Sequence, residues 1–171
     1  MATRNVYDQL KQALYPQPGI HAFAVLDGAA VPDLLGKIGT HRPQYARLLP
    51  DPRAFTLPKD APHIVHLVLD DAFTRWVADE GWGRGWGVFA LGRCSLLAFR
   101  DHCQSLLDPA EPGAEPTLPR FFDPAVLRAC LRDWPAERRR RLFGPVMAYL
   151  VEDEGGRNLL AFGGYHKPQP P

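Results

Sequence analysis

The stretch "GWGRGWG", Gly81–Gly87, decides how this chain is read. Glycine recurs at every second position, Trp82 and Trp86 fall between, and Arg84 sits at the centre. A dinucleotide-binding loop needs G-x-G-x-x-G leaving a strand and entering a helix, because the free N–H groups of the helix N-terminus hold the pyrophosphate. Here the flanks run the other way. "DDAFTRWVADEG" reads as a helix with Asp70 or Asp71 as cap, Phe73, Trp76 and Val77 on its apolar face, and Gly81 as its stop. "WGVFAL" then reads as a strand. Position 86 is Trp where the third glycine of the fingerprint would fall. A helix C-terminus presents carbonyls, which repel phosphate. The stretch is therefore a helix stop running into a strand, with glycines that let neighbouring backbone approach two indoles. Trp82, Arg84 and Trp86 are also residue types that anchor protein interfaces.

Upstream, "NVYDQLKQAL" places Val6, Tyr7, Leu10 and Leu14 on one helical face. Ile20–Leu26 reads as a buried strand, "VPDLLGKI" as a short helix, and Thr40–Pro62, with its prolines, as a loop with a helical turn or two. His63–Leu69 is a strand rich in β-branched residues. Downstream, "SLLAFRDHCQSLL" is an amphipathic helix capped by Ser95, and Asp108–Pro116 is a polar loop. "TLPRFFDP" reads as a short strand leading to Asp123, an N-cap, with Pro124 at the first helical position. A second helix starts at Pro135. "PVMAYLVED" and "NLLAFGG" read as strands joined by "EGGR" in an antiparallel hairpin. This alternation predicts an α/β layered fold: a mixed central β-sheet with helices packed on it, ending in that hairpin. Residues 1–165 form one domain, and 166–171 a flexible proline-rich tail.

The chain has 171 residues, 46% hydrophobic and 23% charged, with a formal net charge of +1. That near-neutral balance steers it to neither nucleic acid nor lipid. Three cysteines without CxxC spacing suggest no disulfide framework and no zinc site. No apolar run approaches a membrane span and no leader is evident, so a cytoplasmic location is expected.

Candidate chemistry is sparse. His63 and His66 lie three apart on a strand, so they face opposite ways and cannot share a metal. His102 and Cys103 are adjacent on a helix and diverge by about 100°. Ser95 lacks a nucleophile-elbow context. Asp70 and Asp71 sit where a strand ends, a common place for catalytic carboxylates, but serve equally as cap and first-turn acid. Arg138, Arg139, Arg140 and Arg141 wrap a whole helix circumference rather than forming a stripe, and the nearby "VEDE" argues against nucleic acid. No catalytic, metal or cofactor-binding constellation emerges.

Four segments in series, "HAFAVLDGAA", "PHIVHLVLDDAFTRWVADEGWGRGWGVF", "PRFFDPAVLRACL" and "LFGPVMAYLVED", resemble the effector chaperone (adaptor) domain of bacterial type VI secretion. The resemblance spans about His21 to Asp153. It rests on Trp82, Gly83, Trp86 and Gly87, on Phe122, Asp123, Pro124 and Leu127 at a helix entry, and on Gly144 and Pro145 before a strand. It implies a protein without enzymatic activity or cofactor that binds a cognate effector and loads it onto the spike-tip protein. Candidate partner anchors are Trp82, Arg84 and Trp86, with Arg138, Arg139 and Arg141. The alternatives are a small α/β enzyme built on Asp70, Asp71 or a histidine, and an immunity or scaffold protein.

Overall fold

The computed structural model describes residues 6–13, 17–49, 58–107, 113, 118 and 120–163. The proline-rich tail, Leu14 and nearly all of the loop expected at 108–116 lie outside the described residues.

The strands are β1 (His21–Leu26), β2 (Tyr45–Arg47), β3 (His63–Leu67), β4 (Gly87–Gly92), β5 (Val146–Glu152) and β6 (Leu159–Gly163). They form one sheet in the order β2-β3-β1-β4-β5-β6. The helices are α1 (Val6–Ala13), α2 (Leu34–His41), α3 (Ala72–Gly81), α4 (Leu96–Leu107), α5 (Pro124–Asp133) and α6 (Ala136–Phe143). The layered α/β reading and the closing hairpin both stand. The sheet goes beyond mixed: among the described residues all five strand pairings are antiparallel.

Alternation along the strands divides the core in two. Ala24 and Leu26 of β1, Phe89 and Leu91 of β4 and Leu150 of β5 meet Tyr7, Leu10, Leu34, Phe73 and Val77 from α1, α2 and α3. Phe23 and Val25, Val88 and Ala90, and Tyr149 and Val151 point the other way. They meet Phe99, Leu106, Leu127, Leu131 and Leu142 from α4, α5 and α6. Helices therefore cover both faces, which explains why the strands read as near-continuous apolar runs.

Local chemistry sets the ends. Asp123 accepts a hydrogen bond from the Ala125 N–H at 2.9 Å with Pro124 in the first turn of α5. Ser95 Oγ accepts from the Ala98 N–H at 3.1 Å at the start of α4. Asp71 takes the cap position of α3 by backbone geometry, without a side-chain cap bond. Asp70 instead has φ 66°, ends the β3 connection, and binds Lys11 Nζ at 2.8 Å and the Tyr7 hydroxyl at 3.2 Å, tying α1 to the sheet. β3 thus stops at Leu67, two residues short of the expected Leu69.

Two readings are corrected. Residues 120–123 form a turn, closed by the Asp123 N–H on the Arg120 carbonyl at 3.0 Å, where a strand was expected. Within the expected loop 40–62, β2 adds an edge strand to β3, pairing Tyr45 with Val65.

Candidate partner-binding surface and the cavity beside it

The glycine run turns from α3 into β4 as read, and its geometry explains each glycine. A Cβ on Gly81 would lie 2.5 Å from the Trp86 ring. Gly83 and Gly85 have φ of 74° and 67°, the left-handed region that glycine enters without strain. Their two N–H groups converge, as in an anion nest. The anion is internal: Glu152 at the end of β5 accepts from Gly83 at 2.7 Å and from Gly85 at 3.0 Å. Burial pushes the Glu152 carboxyl above its ordinary value, opposed by those two N–H groups and by Arg128. The space behind the turn, lined by Val77, Trp82, Trp86 and Glu152 among others, is about 10 Å³. That is the size of one water molecule and leaves no room for a nucleotide.

The β5–β6 hairpin closes over the same turn. Its Gly156 stands so near that a Cβ there would meet Gly83 Cα at 2.6 Å. Asp153 organises the hairpin by accepting from the Arg157 N–H at 2.8 Å and from Asn158 Nδ2 at 2.7 Å. Arg128 of α5, a buried residue, donates to the Glu152 carbonyl at 2.6 Å and pairs with Glu154 at 3.3 Å, which Arg132 also binds.

The expected anchors separate. Trp86 is only 4% exposed and packs on Trp76, ring centres 4.9 Å apart, so it is a core residue. Trp82 is half-buried and its indole N–H is buried without an acceptor among the described residues. Arg84 is exposed at the apex of the turn. On α6, Arg138, Arg139, Arg140 and Arg141 are all exposed. Arg138 lies 3.8 Å over the Trp134 ring, and Arg139 reaches the Leu131 carbonyl at 3.4 Å. Arg84, Arg138, Arg139 and Arg141 are thus exposed, with Arg138 and Arg139 already in contact with Trp134 and Leu131.

Of the residues that carry the resemblance, Phe122 and Leu127 are core, and Asp123 and Pro124 start α5. Gly144, at φ 47°, ends α6 against the His102 ring. Pro145 precedes β5, and Gly87 presses on the Val25 carbonyl, 2.1 Å from where its Cβ would be. Asp27, buried at the end of β1, accepts from the Ala29 N–H at 3.0 Å and pairs with Arg120 at 3.1 Å.

The histidines resolve as their positions require. His63 is buried, with Nδ1 2.8 Å from the Ala61 carbonyl, and desolvation lowers its pKa. His102 Nε2 faces the Leu142 carbonyl at 2.9 Å, while Cys103 is fully buried and its thiol pKa is driven up by desolvation. His66 has a partner that the sequence did not reveal. It lies opposite Phe23 on β1, and His21 Nδ1 comes within 3.3 Å of His66 Nε2. Both rings line an open cavity of about 360 Å³ together with Phe23, Gln44, Arg93 and Cys94. Among the described residues no group of three or more His, Cys, Asp or Glu side chains could hold a metal ion.

A family profile described as "Domain of unknown function (DUF4123)" matches residues 22–141. The chain belongs to the DUF4123 family. The matched span runs from β1 into α6 and contains both the glycine turn and the helix entry at Phe122–Leu127. No curated protein and no solved structure matches the chain. No helix among the described residues is long and apolar enough to cross a membrane.

Proposed function

We propose that this protein is a non-enzymatic, cytoplasmic adaptor of type VI secretion that binds a cognate effector and helps load it onto the spike-tip protein. The observation that carries this reading is the DUF4123 match over residues 22–141, a family associated with type VI effector adaptors. The surface fits a binding role in two ways. Arg84 projects from a turn whose backbone is already fixed by Glu152, so little backbone freedom remains to be lost when a partner grips it. The sheet ends in β6, whose outer edge has no partner strand among the described residues, and an extended effector segment can add there.

The test is co-expression with the neighbouring effector. The effector should be less soluble and less secreted without this protein, and equal solubility and secretion would end the proposal. Alanine at a true anchor should cost about 2 kcal/mol of effector binding, roughly thirtyfold in Kd. Arg84→Ala is the first variant to measure.

A further inference from the structure

We propose that His21 and His66 form a two-histidine site for a zinc-class divalent ion in the 360 Å³ cavity between the start of β1 and the end of β3. The site lies apart from the glycine turn and is independent of the adaptor reading.

The argument is geometric. Two imidazoles on one tetrahedral zinc, with Zn–N near 2.0–2.1 Å, hold their donor nitrogens about 3.3 Å apart and their ring centres about 5.2 Å apart. The two rings here have donor nitrogens 3.3 Å apart and centres 5.3 Å apart, with their planes inclined at 55°. A straight N–H···N bond at the same nitrogen spacing would place the centres about 5.6 Å apart. The observed separation of 5.3 Å lies nearer the chelating value than the straight-bond value.

The fold holds that arrangement. His21 and His66 lie diagonally on adjacent antiparallel strands and share a face, where such neighbours remain within reach of long side chains. Phe23, which stacks on Phe99 at 4.6 Å, lies under His66 with ring centres 5.6 Å apart. Two protein ligands leave two tetrahedral positions for water or an exogenous donor, and the open cavity has space for both. Among the described residues Arg93 is the one cation on the same lining. It is exposed and only loosely tethered, to the Pro18 carbonyl at 3.4 Å, so solvent screens its repulsion and its guanidinium suits an anionic co-ligand.

Zinc chloride titrated into the full chain, followed by ring-nitrogen NMR, tests this directly. The expected result is one ion per chain, with the metal-induced shift at Nδ1 of His21 and Nε2 of His66. His21→Gln and His66→Gln should each weaken zinc binding at least about tenfold, since losing a ligand costs no less than losing its outer-shell support. His41→Gln should leave it unchanged. No zinc binding overturns the proposal, as do shifts on other histidines only. A response to phosphate or acetate with none to zinc also overturns it, and makes the cavity an anion site. The NMR arm uses the unaltered protein, so it decides the matter even if a variant folds poorly.

Discussion

Two regions of this molecule concentrate polar groups, and they are opposites. At the glycine turn the acid and the backbone answer each other: two glycine N–H groups take the Glu152 carboxylate, and Arg128 takes its carbonyl and Glu154, with the Trp82 indole N–H the exception. At the other site, two imidazoles, a guanidinium and an amide face open space of about 360 Å³. The first looks like a ligand loop in the sequence and is structural scaffolding. The second leaves no mark in the sequence. A residue pattern signals function only when its polar groups are left over after folding, and that remainder is a property of the tertiary structure.

The largest effect that tests this contrast lies within the turn itself. Trp86→Ala should destabilise the fold by about 3–5 kcal/mol, because the indole is buried against Trp76 and Gly81. Arg84→Ala, two residues away and exposed, should change stability by no more than about 0.5 kcal/mol. Chemical denaturation of both variants measures the gap. Equal losses would mean that the turn is not split into a core half and a surface half.

Next in size are two glycines that differ in one respect. Gly156 and Gly85 have similar φ, 61° and 67°. A Cβ at Gly156 meets Gly83 backbone at 2.6 Å, whereas one at Gly85 meets no described residue within 4 Å. Gly85→Ala should therefore cost only the left-handed backbone term, about 1 kcal/mol. Gly156→Ala should add the displacement of the hairpin from the turn, for a total of about 2–3 kcal/mol. Identical unfolding midpoints would show that hairpin and turn are not in contact.

The sequence discloses one of these regions partway. Helix then strand around Gly81–Gly87 was legible, because apolar spacing changes from 3.6 to 2 across it and Gly81 marks the stop. The rejection of phosphate followed from that order alone. The carboxylate that fills the turn was not legible, since Glu152 lies 67 residues beyond Gly85. Nor could the sequence separate Trp86 from Trp82 as core and rim, because both flank glycines at a strand entrance. The opposed faces of His63 and His66 were readable from strand parity. The His21–His66 pair needs β1 beside β3, and strand order is fixed by packing of both sheet faces rather than by local pattern. β2 escaped for a simpler reason: three residues among prolines carry no measurable period.

The smallest effect is a dependence on pH, and its sign discriminates. Burial raises the Glu152 pKa in the folded protein, with Asp153 pushing the same way and the Gly83 and Gly85 N–H groups and Arg128 pushing back. Between the ordinary value of 4.5 and the raised one, the folded state therefore binds more protons than the unfolded state. Stability contributed by this group must fall as pH rises through that window and stay flat above it. Glu152→Gln removes the titration, so the stability of the natural chain relative to the variant should drop across the window and then level off. Asp153 carries the opposite sign: its pKa is lowered by the Arg157 N–H first and then by Asn158, so its contribution is lost as pH falls. Subtracting the two curves leaves the Glu152 part, because Asp153 is present in both proteins. Denaturation midpoints from pH 4 to pH 8 would show it. A difference curve that stays flat would place Glu152 in water rather than in the turn, and the contrast between a closed region and an open one would fail there first; one that rises would mean that the Gly83 and Gly85 N–H groups and Arg128 outweigh burial.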